Sequence, residues 1–184
     1  MRITRENSAL LVIDVQERLA AAIAGNESLI RRTDALAQAA TWFGVPKLLT
    51  EHWPERLGRT VEPLRSRFSN GEIFPKTAFA ATNHPTFLER VHALGRRLVL
   101  MAGMEAHVCV LQTALALREV GFTVAVIADC CGSRVGRQID RELALARLQQ
   151  AGCIPVSADA LLYEWTATPE DARFRDVLAL VKTL

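Results

Sequence analysis

The chain of 184 residues has no apolar run approaching the roughly 20 residues that a bilayer-spanning helix needs. Its longest such runs, around residues 98–104 and 124–128, are of strand length, so no membrane partner is expected. A charge excess is also missing. Lys and Arg number 22 against 20 Asp and Glu, a net charge of +2, so no broad basic field awaits a nucleic acid. Four cysteines, at 109, 130, 131 and 153, make neither a disulfide framework nor a Cys-x-x-Cys pair, and reduced thiols are expected. The opening segment MRITRENSALLVIDVQ is broken by Asp14 and Gln16 and is followed by no small-residue cleavage site, so it reads as the first strand of a cytoplasmic protein. A glycine-rich turn is absent after that strand, where DVQERLAAAIAG stands, which argues against a phosphate- or dinucleotide-cradling loop. Without repeats, low-complexity tracts or a Gly/Ser linker, residues 1–184 are expected to form a single domain.

What is present is an alternation of short apolar runs and helical spacings. Residues 9–13, 45–50, 73–76, 97–103, 123–128 and 153–156 read as strands, the first a continuous apolar run suited to burial on both faces. Leu29, Thr33, Leu36, Ala37, Ala40 and Phe43 recur at helical spacing, with Asn26 as the expected cap and Gly44 as the stop. Further helices are expected at 84–94, 108–120, 138–150 and 171–182, and residues 51–69 read as a long functional loop. Strands alternating with helices imply right-handed crossovers. The expected class is three-layer α/β/α with a mostly parallel, about six-stranded Rossmann-like sheet.

In open α/β sheets the functional crevice lies beyond the carboxyl ends of the strands. Asp14, Lys76 and Cys109 occupy equivalent positions there: Asp14 ends the first strand, Lys76 follows Pro75, and Cys109 opens the helix after 97–103. A thiol attacks as thiolate, and a helix amino terminus, an ammonium and a carboxylate can each promote that state. The helix contributes only about 0.3–1 kcal/mol, so a nearby lysine must do more. Each residue also has a plainer reading. Cys109 could be core packing, Asp14 a turn cap and Lys76 a solvated charge.

The segments LLVIDVQERL, KTAF at 76–79, TEHWPERLGRT and above all GMEAHVCVLQTALALREVGFTVAVIADCCGSR resemble the isochorismatase-like cysteine hydrolases, a superfamily that includes nicotinamidases and N-carbamoylsarcosine amidohydrolase. The resemblance runs from Asp14 to about Val156. It implies Asp14 as general base, Lys76 as the charge that stabilises thiolate and transition state, and Cys109 as nucleophile. It further implies a cis peptide at Met104–Glu105, aiming the backbone N–H of Glu105, with that of Cys109, at a developing oxyanion. Isochorismatase itself acts on a vinyl ether and lacks the cysteine, so Cys109 favours cleavage of an amide-like C–N bond in a small molecule through a thioester. The alternative is a catalytically inactive interaction protein with the same fold.

Nicotinamidases place metal ligands after the second strand, where this chain has Thr50-Glu51-His52-Trp53-Pro54, too few ligands for catalytic zinc; no metal or other cofactor is expected. Gln16, His52, Trp53 and His107 are candidate pocket residues. His107 stands two residues from Cys109, a spacing that points to different helix faces and disfavours a dyad. Cys130, Cys131 and Cys153 read as packing. Relatives of this kind assemble, so a homo-oligomer is expected, with Leu161, Leu162 and Trp165 as candidate contact residues.

Overall fold

A computed structural model describes residues 1–184. In chain order the elements are β1 (Ser8–Ile13), α1 (Glu17–Ala21), α2 (Asn26–Phe43), β2 (Lys47–His52), α3 (Pro54–Leu57), β3 (Ile73–Lys76) and α4 (Phe87–Ala93). These are followed by β4 (Leu98–Met104), α5 (Leu111–Glu119), β5 (Thr123–Gly132), α6 (Gln138–Gln150), β6 (Ile154–Val156), α7 (Ala158–Thr166) and α8 (Phe174–Val181). The six strands form one sheet in the order β3-β2-β1-β4-β5-β6, every neighbouring pair parallel. The expected α/β class and strand number stand.

β1 lies inside the sheet because its residues serve two cores at once. Leu10 and Val12 pack on one face with Leu36 and Leu161, while Leu11 and Ile13 pack on the other with Phe87 and Val110. This two-residue alternation of a doubly buried strand needs apolar side chains at every position, which SALLVI nearly provides. Ile13 pairs with Thr50 of β2 and with Gly103 of β4, so the ends of three strands meet in one place.

Several expectations are corrected. The α2 cap is Gly25 in the left-handed region (φ 70°), not Asn26, which is the first helical residue and donates from Nδ2 to the Ala20 carbonyl at 2.8 Å. β5 continues to Gly132, past the expected end at 128, through a register shift against β4 between Met101 and Gly103. The helix expected at 108–120 is present as α5 from Leu111 to Glu119, and only its first turn differs, being a wide π-type turn, Ala106–Val110. The helix expected at 84–94 starts at Phe87, and the terminal one at Phe174. Leu161, Leu162 and Trp165 are not a contact surface. They sit on α7 at 0%, 0% and 1% exposure, inside the core, where Trp165 Nε1 donates to Ser8 Oγ at 3.0 Å. No helix is long and apolar enough to cross a membrane.

Candidate active site

The carboxyl ends of β1, β2, β3 and β4 converge on Asp14. Its φ of 53° lies in the left-handed region, which Asp tolerates better than most residues. The backbone N–H of Asp14 still donates to the Thr50 carbonyl at 3.1 Å, holding the turn to β2. The Asp14 carboxylate then receives two short hydrogen bonds, from Thr50 Oγ1 to Oδ1 and from Lys76 Nζ to Oδ2, both at 2.6 Å. Both members of the ion pair are fully buried. The ammonium also donates to the carbonyls of Ala78 and Phe79, at 3.2 and 3.4 Å, so all three of its protons have acceptors.

Cys109 lies in the π-type turn after β4, 5% exposed and close enough to Asp14 and Lys76 for both charges to act on its thiol. Burial pushes its thiol up to about 12; the Asp14 charge adds to the rise and the Lys76 charge opposes it. Burial therefore favours the neutral thiol over the thiolate in the resting site.

The approach of β4 to β1 depends on Gly103. Its φ is 133°, and a Cβ there would stand 2.0 Å from the Ile13 carbonyl oxygen. Two residues on, Met104–Glu105 is a cis peptide, as the resemblance implied. The backbone N–H of Glu105 has no protein acceptor, while its carbonyl accepts from Val108 and Val110. The Glu105 side chain faces Arg134: Oε2 accepts from the Arg134 main-chain N–H at 3.0 Å and from Nε at 3.1 Å, and Oε1 lies 2.9 Å from a terminal guanidinium nitrogen.

Over this floor opens a cleft of about 340 Å³. Leu19, Leu57, Phe79 and Val108 form its walls, and His52, Cys109 and the Glu105–Arg134 pair supply its polar edge. Of the candidate pocket residues, His52 lines the cleft, its ring 5.5 Å from that of Phe79. Burial, followed by the Lys76 charge, lowers the His52 pKa below its ordinary value. Gln16 is fully buried and works as a brace: Nε2 donates to the carbonyls of His52 and Gly58, and Oε1 accepts from the His52 N–H at 2.7 Å. Trp53 is 40% exposed and stacks under Arg56, away from the cleft lining. His107 Nδ1 pairs with Ser133 Oγ at 2.9 Å and does not line the cleft either.

Sequence reasoning missed Thr50, Phe79, Leu57, Leu19 and Arg134. Thr50 carried a readable signal, since it ends an apolar strand just as Asp14 does. Cys130, Cys131 and Cys153 are buried free thiols whose pKa values burial raises. No cluster of three His, Cys, Asp or Glu side chains is arranged to hold a metal ion.

Fold and site together define an α/β protein whose acid, amine and thiol meet under an apolar cleft. The isochorismatase domain model matches residues 8–160, and the chain belongs to that family. It is 33% identical to isochorismatase domain-containing protein 1 of Danio rerio over 95% of this chain and 61% of that protein. The chain thus spans about three fifths of the length of that curated relative. Among solved structures, the MAR1 ribonuclease of Caenorhabditis elegans superposes with a TM-score of 0.90 at 35% identity, covering 99% of this chain and 93% of that one. The YcaC gene product of Escherichia coli, described as an octameric hydrolase of unknown specificity, gives a TM-score of 0.90 at 25% identity, covering 98% and 89%.

Proposed function

We propose that this protein is a hydrolase that cleaves a small amide-like C–N bond through a thioester on Cys109. The observation that carries the reading is the buried Lys76–Asp14 pair, 2.6 Å apart, whose charges act on the one thiol that lines the apolar cleft. Family membership supports a hydrolase-type activity, and residues 1–184 act as one domain in this reading.

Asp14 accepts the proton of Cys109 as Sγ forms a bond to the amide carbon and the carbonyl π pair moves onto oxygen. The unpartnered N–H of Glu105 donates to that oxyanion together with the N–H of Cys109, an interaction of the kind worth about 2.7–4 kcal/mol of barrier lowering. The oxyanion collapses, the C–N bond breaks, and the proton held by Asp14 passes to the departing nitrogen. Water then adds to the thioester carbon while Asp14 takes its proton. Expulsion of sulfur, reprotonated from Asp14, releases the acid and restores the resting thiol. Lys76, bonded to Oδ2, holds the Asp14 carboxyl in place through these steps.

The C. elegans neighbour is named as a ribonuclease. Arg134 in the cleft and Lys76 beneath it are already matched by Glu105 and Asp14, an arrangement that favours a small organic amide over a phosphodiester. The octameric neighbour supports a homo-oligomer here. Four unpaired thiols suit a reducing compartment such as the cytoplasm. The experiment is ammonia release from a panel of primary amides by wild type and by Cys109→Ala. Turnover confined to the wild type is expected, and equal turnover by the variant would overturn the covalent route.

A further inference from the structure

We infer that the cleft selects an uncharged amide with a compact apolar acyl group, and that the His52 imidazole supplies the one hydrogen bond that orients this group. The inference rests on the hydrolase reading for its choice of an amide, but its own content is the recognition of the acyl part.

The cleft is lined by two charged side chains, Glu105 and Arg134, and each is occupied by the other through contacts of 2.9 to 3.1 Å. Beneath it Asp14 and Lys76 cancel one another. A ligand carboxylate entering among Leu19, Leu57, Phe79 and Val108 would shed water and meet no unmatched cation, and a ligand ammonium would meet no unmatched anion. A neutral acyl group loses little by the same move and gains apolar burial. At about 340 Å³ the space lies at the small end of ligand pockets.

Neither ring nitrogen of His52 has a protein partner, and Nδ1 is sealed from solvent as well. Main-chain bonds to Gln16 fix the residue at both its N–H and its carbonyl, so the ring is held from below while its polar atoms remain unmatched. A buried polar atom without a partner is uncommon in folded proteins and calls for a reason. Near neutral pH the ring is uncharged, since burial and the Lys76 charge disfavour the imidazolium. A bare sealed acceptor is better tolerated than a bare sealed donor, which puts the single proton on Nε2. That N–H is the donor left for a ligand, and an oxygen on the acyl chain is its natural acceptor.

Three isosteric probes separate these features: pentanamide, with an apolar chain; levulinamide, with a ketone oxygen in the same chain; and succinamate, with a carboxylate there. Binding is read by ligand-observed NMR on Cys109→Ser protein, and ammonia release on the wild type. The expected order is levulinamide over pentanamide by about tenfold, the scale of one net hydrogen bond, with succinamate weakest. His52→Leu should collapse the levulinamide-to-pentanamide ratio toward unity, whereas His52→Gln, which keeps a donor, should retain most of it. Succinamate binding as well as levulinamide, a ratio untouched by His52→Leu, or no binding by any probe would overturn the inference. The expected order of binding without ammonia release would uphold it and overturn the hydrolase reading alone.

Discussion

Lys76 Nζ lies 2.6 Å from Asp14 Oδ2, and neither side chain is exposed to solvent. Sixty-two positions of sequence separate the two residues, and the order β3-β2-β1 brings their strand ends side by side. A pair so buried is costly to desolvate. It persists because Thr50 Oγ1 and the carbonyls of Ala78 and Phe79 satisfy what remains of each partner's hydrogen-bonding capacity.

Asp14→Asn leaves that ammonium buried and uncompensated. The expected loss of stability is about 3–5 kcal/mol, read from urea unfolding midpoints. If Asp14 is the base, amide hydrolysis by the fraction that folds falls by at least about 10²-fold. A variant with wild-type turnover would remove Asp14 from the mechanism.

Gly103→Ala tests the close approach of β4 to β1. The added methyl would meet main-chain atoms, the Ile13 carbonyl oxygen at 2.0 Å, at a φ of 133° that side chains disfavour. Neither can yield without parting the strands beside Asp14. The expected cost is about 3 kcal/mol or more, with loss of activity in the folded fraction, measured by denaturation and hydrolysis together. A fully stable, active Gly103→Ala protein would contradict the strand geometry.

Buried thiols set an alkaline limit. Burial moves Cys109 and Cys131 from an ordinary value of 9.0 to about 12, and raises Cys130 and Cys153 as well. Above about pH 9 the unfolded chain releases thiol protons that the folded chain keeps, so it binds fewer protons and folding stability falls as pH rises toward 12. Each such thiol contributes a slope of about 1.4 kcal/mol per pH unit in that window. Urea midpoints should therefore drop across the window, and less steeply in Cys109→Ala than in wild type. Identical slopes would show that Cys109 is not held protonated by the fold.

The parts of this architecture legible beforehand were those fixed by local pattern. SALLVI announces a doubly buried strand, and Asp14, Lys76 and Cys109 announce themselves by following apolar runs in an α/β order. Other features depend on distant contacts. Leu161, Leu162 and Trp165 resemble an exposed apolar stripe until Ser8 and the α2 face cover them. Gln16 reads as a pocket residue, yet its amide is consumed by the main chain of His52 and Gly58. Cys109 was legible as a strand-end thiol, but its protonation was not, because desolvation is set by how the turn at Ala106–Val110 packs rather than by neighbours in sequence. Arg134 becomes a cleft residue only through the extension of β5 to Gly132.

The central claim is that Cys109 bonds to the substrate carbon, and acid-quenched single-turnover mass spectrometry of the intact protein with a neutral primary amide tests it most directly. The account predicts a transient mass increase equal to the acyl group, mapped to the peptide containing Cys109, absent in Cys109→Ala and slowed in Asp14→Asn. Hydrolysis that proceeds at full rate in Cys109→Ala, with no adduct at any time in the wild type, would contradict it.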